Sequence, residues 1–244
     1  MPVDSLWRRA QHALLPPRCL ICARRSESAR DLCSACHADF QANTRCCARC
    51  ALPLAVPAAL CGECLKRQPP FAAAFAPYVY GHPLDHLLTQ LKFGHSLAAG
   101  RVVSELWIDA LRQTLARGSV SARPEIVVPV PLHAQRLRER GYNQALELAR
   151  PLARAFGLAL APDLLARTRA TPAQAELDAK TRRKNLRGAF EFRPQRGQVV
   201  PARVVLLDDV MTTGATLAEC ARVLKRAGVA RVEVWAFARA PRRR

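Results

Sequence analysis

The sequence predicts an α/β fold in which a parallel sheet carries helices on both faces, preceded by a small cysteine-rich module. Three observations carry this expectation. Nine of the ten cysteines in the 244-residue chain fall before residue 65, so the two parts differ in composition. Residues 204–207 (VVLL) form an unbroken apolar run that leads into Asp208 and Asp209, a loop of hydroxyls and glycine, and a helical pattern. Such a run suits a strand of a parallel sheet covered on both faces, with ligands bound beyond its carboxyl end. A second strand at 232–237 follows that helix and completes a βαβ unit, with Gly228 as the helix stop.

Taken in order, the chain starts with Leu6, Trp7, Ala10, Leu14 and Leu15, the spacing of a short amphipathic helix stopped at Pro16 and Pro17. The start lacks the basic head and apolar core of a secretory signal, and no apolar run approaches the roughly 18 residues a membrane span needs. A cytoplasmic location is the expectation. The cysteines then fall into four CxxC pairs, Cys19/Cys22, Cys33/Cys36, Cys47/Cys50 and Cys61/Cys64, with ten residues between successive pairs. Each pair can turn tightly and present two thiolates to one tetrahedral ion, so two pairs complete a structural zinc site. Two Zn2+ ions are expected in a module covering residues 1–68. Consecutive pairing is simplest, while interleaved pairing also fits the even spacing. Cys46 could substitute for its neighbour Cys47, although the CxxC spacing favours Cys47. A site closed by four thiolates leaves no open position for water, so its role is structural, and so short a module depends on metal for folding. Arg24, Arg25, Arg30, Arg45 and Arg49 read as solvated charge or as contacts to nucleic-acid phosphates.

Residues 69–244 form the second domain. Phe71 to Tyr80 is extended. Leu84, Leu87, Leu88 and Leu91 recur at helical spacing, and Lys92, Phe93 and Gly94 close that helix. A second helix runs over about 98–115. Residues 125–132 (EIVVPVPL) read as a buried strand with prolines at its end. The basic segment after it, with Arg136, Arg138, Arg140 and Gly141, precedes a helix ending at Phe156. Arginine forks suit phosphate oxygens, and glycine lets backbone approach a ligand. Residues 164–168 and 189–192 are strands around a cationic stretch, 169–188, that could close over a ligand. Cys220, within the last helix, reads as a small core residue.

The stretch 204–217 resembles the phosphoribosyl-diphosphate (PRPP) signature of the type I phosphoribosyltransferase fold. Asp208 and Asp209 fill its acidic positions, and Met211, Thr212, Thr213, Gly214, Ala215 and Thr216 its phosphate loop. Four CxxC pairs followed by LKFG at 91–94, PVPL at 129–132, RGYNQ at 140–144 and RTRATPAQ at 167–174 resemble the ComF/GntX family of competence-associated proteins over nearly the whole chain. The resemblance implies that Asp208 and Asp209 hold the ribose hydroxyls and that Thr212 to Thr216 cradle the 5-phosphate. Arg140 and Gly141 hold the pyrophosphate, with Mg2+ bridging oxygens of the same ligand. It also implies a link to DNA uptake, with single-stranded DNA and a competence helicase or recombination proteins as partners. Two alternatives stand beside transfer chemistry: a non-catalytic PRPP sensor that binds single-stranded DNA, and a phosphoribosyltransferase of nucleotide metabolism. The formal net charge of +19 suits polyanionic partners, or reflects arginine replacing lysine on solvated faces.

Overall fold

Parity along two strands organises the computed structural model, which describes residues 17–94, 96–117, 124–170, 185–194 and 199–242. Strand β7 (Arg203–Met211) pairs in parallel with β8 (Arg231–Arg239), and both are almost wholly buried. Side chains alternate across a sheet. Val204 and Leu206 of β7, with Val232, Val234 and Ala236 of β8, therefore join the core on one face. Val205, Leu207, Trp235 and Phe237 join the core on the other. Both faces are apolar because both are covered.

The sheet extends from β7 through β3 (Ile126–Pro129) to β4 (Ala159–Leu160), and from β8 to the short β1 (Ala74–Phe75) and β2 (Tyr78–Val79). Every pairing within it is parallel. The first face is covered by one long helix, Ala215–Arg226, and by the Cys47–Cys64 half of the cysteine module. The second is covered by helices Leu84–Phe93, Leu97–Ala116 and Gln144–Phe156, and by the Cys19–Cys36 half. Among the described residues the helices in chain order are α1 (Ser34–Ala38), α2 (Gly62–Lys66), α3 (Leu84–Phe93), α4 (Leu97–Ala116), α5 (Ala134–Arg140), α6 (Gln144–Phe156) and α7 (Ala215–Arg226). A separate antiparallel pair, β5 (Leu165–Arg167) and β6 (Phe190–Phe192), stands over the carboxyl end of the sheet, where His133 bridges Arg167.

The expected helices at 84–94 and 98–115 form with their apolar stripes buried. Four boundaries differ from the sequence reading for identifiable reasons. β7 continues past Leu207 to Met211 because β8 pairs with it as far as Arg239. β8 likewise outruns the expected 232–237 at both ends. β3 is shorter than 125–132, since Pro129 and Pro131 lack the amides that would extend its ladder. The basic segment after β3 is not all loop: α5 forms there, and Gly141 ends it at φ 74°, a left-handed turn that glycine adopts without strain. The expected amino-terminal helix over residues 6–15 and most of the cationic stretch 169–188 lie outside the described residues. Among the described residues, no helix is long and apolar enough to cross a membrane.

Candidate functional site

β3 stops pairing with β7 at Leu207, so the edge of β7 beyond it is open towards β3. Asp208 and Asp209 sit on that open stretch, held in extended backbone by β8 on the other side. Asp209 is buried at 3% exposure, and its amide donates to Oδ1 of Asp208 at 2.9 Å. Lys92, at the carboxyl end of α3, places Nζ 2.6 Å from Oδ2 of Asp209. Burial raises the Asp208 carboxyl well above its ordinary range, and the neighbouring Asp209 charge adds to this. Burial acts the same way on Asp209, but the Lys92 ammonium outweighs it and holds that carboxyl low. Burial also opposes the charge on Lys92, and the Asp209 carboxylate overcomes it. Lys92 and Asp209 thus form an ion pair beside Asp208, whose charge both burial and the Asp209 carboxylate oppose. The arrangement offers a hydroxyl-rich ligand carboxyl oxygens from two successive residues on an open strand edge.

Past Met211 the chain turns at Thr212 and Thr213, both exposed, and enters α7 with Gly214 at its amino-terminal cap. Gly214 has φ 73°, and a Cβ there would stand 2.6 Å from Cε of Met211, so glycine serves both the turn and the packing. Thr213 Oγ1 accepts from the Ala215 amide at 3.3 Å. The remaining first-turn amides of a 12-residue helix face this loop, the geometry that suits a phosphate. Ala215 is buried and Thr216 half-buried.

Cations from elements far apart in sequence lie beside the acids or beside the end of α3 that reaches them. Arg140, the last residue of α5, donates to Gln144 Oε1 at 2.7 Å and lies 5.3 Å over the Phe93 ring. Tyr142 donates its hydroxyl to the Leu91 carbonyl. The end of α3 is thereby joined to the Arg140–Gly141 turn on one side and to Asp209 on the other. Arg167 of β5 is half-buried; burial lowers its pKa, as does the nearby Arg136, while Asp208 opposes them. The sequence reading named Arg140 and Gly141 but missed Lys92 and Arg167. A signal existed for Lys92: it is the lysine that ends an apolar helix in LKFG. Nothing in the sequence says which carboxylate it meets.

The cysteines form two clusters, Cys19/Cys22/Cys33/Cys36 and Cys47/Cys50/Cys61/Cys64, each with its sulfurs within 4.8 Å of one another. This resolves the pairing as consecutive. Cys46 lies outside both clusters, in a bridge with Pro53. The two sites are built alike. In each, the residue after the first pair turns with positive φ, Ala23 at 59° and Ala51 at 53°. Its amide donates back to the carbonyl of the first cysteine at 2.8 Å in both. In each second pair the first cysteine caps a short helix, α1 or α2, that contains the second, and a helix amide bonds to the Cys33 or Cys61 carbonyl. Burial opposes ionisation of Cys19 and Cys47, yet backbone amides aimed at their sulfurs win and bring them to about 6 and about 7. Burial pushes Cys36, Cys50 and Cys64 up, so the amides favour thiolate at one sulfur of each site. The converging set of four sulfurs fits Zn2+, whose four-thiolate sites are closed and structural. Cys220, fully buried on α7 and pushed up by that burial, is a core residue.

Residues 10–69 match the double zinc ribbon domain, and residues 143–244 match the phosphoribosyl transferase domain. The chain is 36% identical to the DNA utilization protein YhgH of Salmonella typhimurium, over 85% of this chain and 90% of that protein. It is 34% identical to competence protein F of Haemophilus influenzae, over 91% and 97% respectively. Competence protein ComFC of Streptococcus pneumoniae matches at 30% over 46% of this chain and 47% of its own length.

Proposed function

The chain belongs to the ComF/GntX family of competence-associated proteins, and from that premise we propose that it binds PRPP with Mg2+ in a pathway that handles DNA taken up by the cell. The observation that carries this reading is the Asp208–Asp209 pair on the open stretch of β7, followed at once by the Gly214-capped start of α7. Vicinal ribose hydroxyls would donate to the two carboxylates, and the 5-phosphate would take the hydroxyls of Thr212, Thr213 and Thr216 with the amides of Gly214 and Ala215. Arg140 and the Gly141 turn would hold the pyrophosphate. Mg2+, when bound, supplies positive charge to the pyrophosphate and ribose oxygens and keeps several of its waters.

Transfer breaks the anomeric C–O bond, sends the electron pair out with pyrophosphate and forms a bond to an acceptor nucleophile. The carboxylates and arginines act by positioning and by stabilising charge as that bond stretches. Burial and the Asp209 charge disfavour the Asp208 carboxylate that ribose hydroxyls would need as an acceptor, so binding would tighten as pH rises.

The test is calorimetric titration of Mg2+–PRPP into the full chain, run beside pyrophosphate release with candidate acceptors. Micromolar binding that is lost in Asp208→Asn/Asp209→Asn supports the reading, and no binding by the unmodified chain overturns it. Binding without pyrophosphate release for any acceptor would favour a PRPP sensor, and with it the DNA-binding alternative to which the +19 charge is suited.

A further inference from the structure

Two of the structure's arginines join a cysteine site to the rest of the protein. Arg30, in the first site, reaches outwards to Glu105 and Asp109 on α4 and is partly exposed. Arg239 works the other way. It ends β8, is 6% exposed, and sends its guanidinium into the seam between the second cysteine site and the loop after β7. Its Nε donates to the Cys50 carbonyl at 3.1 Å. Its Nη1 donates to the Met211 carbonyl at 2.9 Å, to the Ala240 carbonyl at 2.8 Å, and to the Thr212 carbonyl. One buried cation thus gathers backbone from a metal-site turn and from the loop that leads into α7. A cavity of about 480 Å³ lies along the same seam, walled by Cys50 and Cys64 on one side and by Met211, Thr213 and Gly214 on the other.

The consequence follows from peptide geometry. A trans peptide is planar, with its N–H directed opposite to its C=O. Holding the Met211 and Thr212 carbonyls towards Arg239 therefore turns the Thr212 and Thr213 amides away from it, to the outer side of the loop. Those amides add donors to the phosphate cradle. The guanidinium itself needs a compensating environment, since a buried charge is costly unless it is paired. Four thiolates around one Zn2+ leave a net charge of −2, and that charge sits beside Arg239 at Cys50.

We propose that Arg239 is a positioning residue through which the second metal site, and not the first, holds the phosphate loop in its binding geometry. The proposal rests on the reading of residues 211–216 as the cradle for the PRPP phosphate. Metal bound by Cys47, Cys50, Cys61 and Cys64 fixes the Cys50 carbonyl; Arg239 transmits that position to Met211 and Thr212; the amides of Thr212 and Thr213 then point at the ligand.

The experiment uses the zinc-loaded full chain and compares Arg239→Lys and Arg239→Met with Arg30→Ala. Zinc content, Mg2+–PRPP affinity and amide hydrogen exchange across 210–216 are measured together. Arg239→Lys is expected to keep both zinc ions, to speed exchange at 212–213, and to weaken PRPP about tenfold, since an ammonium cannot satisfy the divergent carbonyls that a planar fork does. Arg239→Met should weaken it further, and Arg30→Ala should bind as the unmodified chain does. Unchanged affinity and unchanged exchange in Arg239→Lys would overturn the proposal.

If the Arg239 variants do not fold, stepwise chelation of the unmodified chain takes their place, with ribbon amides reporting which site empties. Loop exchange should rise as the second site loses its ion, and departure of that ion with no change in the loop would overturn the idea. Should PRPP fail to bind the unmodified chain, the reading of the pocket falls, while zinc-dependent exchange at 212–213 still decides the coupling.

Discussion

The two cysteine sites are near copies in local geometry and opposites in surroundings. Both turn through a positive-φ alanine, close with a short helix and gather their sulfurs from consecutive pairs. Yet the first packs on the sheet face that carries α3, α4 and α6, and the second packs on the face that carries α7. The first is held by an ion pair, Arg30 with Glu105 and Asp109 of α4, and by a single donor to its backbone, Gln90 of α3 to the Leu20 carbonyl at 3.0 Å. The second is gripped at the backbone, by Arg239 on Cys50 and by Asn43 Nδ2, which donates to the Ala51 and Ala76 carbonyls at 2.8 and 3.1 Å. A duplicated motif has become two parts with different duties. The difference teaches that a metal site acquires a role from what its peptide groups touch.

The largest effect expected from disturbing one side alone is at Lys92, on the helix gripped by the first site. Lys92→Met leaves the buried Asp209 carboxylate without its cation and should destabilise the chain by about 3–5 kcal/mol at neutral pH. Asp209 is held low in the folded protein, so its ion pair stabilises above the unfolded carboxyl pKa and is lost as pH falls through the folded one. The deficit of Lys92→Met should accordingly shrink in acid, read from urea midpoints between neutral and acid pH. A deficit independent of pH would remove the ion pair as its cause.

Next comes Phe40, which anchors the first site to the sheet. Its ring meets Tyr78 edge-on with centroids 5.8 Å apart, and Tyr78 lies 5.1 Å from Phe237. Phe40→Ala should cost about 3 kcal/mol, the low end for a buried phenylalanine. It should speed exchange of the amides around Cys19 and Cys36 and leave those around Cys47 and Cys64 as they were. Equal loosening of both sites would mean that they unfold as one unit.

The smallest effect separates the paired alanines. A left-handed φ costs a non-glycine residue about 1–2 kcal/mol, part of which glycine returns as lost chain entropy. Ala23 is exposed and Ala51 fully buried. Ala23→Gly should therefore stabilise slightly, by about 0.5 kcal/mol, while Ala51→Gly gives back a similar gain in lost methyl burial of about 0.8 kcal/mol. Thermal midpoints of the zinc-loaded variants check the pair.

Much of this was legible before any coordinates. Helical spacing at Leu84, Leu87, Leu88 and Leu91 marked a buried stripe, and all four are at most 1% exposed. The CxxC spacing named the eight clustered cysteines and excluded Cys46 from favour, since four thiols on two tight turns are a local property. The run at 204–207 with Asp208 and Asp209 announced a strand and its acids for the same reason. Other features were hidden. The ends of β7, β8 and β3 depend on what each strand pairs with, and pairing partners are remote in sequence. Lys92 and Asp209 lie on different elements, and so do Arg239 and Cys50, so no local pattern could join them.

The sequence by itself determined the α/β class, the CxxC pairs from which the metal sites are made, and the acidic and glycine-bearing stretch after residue 207. These follow from periodicity, spacing and backbone chemistry that neighbouring residues carry among themselves. Only the tertiary structure decided that the cysteine sites occupy opposite faces of one sheet, that Lys92 neutralises Asp209, and that Arg239 joins the second site to the loop before α7. Strand parity and the burial of distant charges set those relations, and both act between parts of the chain that meet only when it folds.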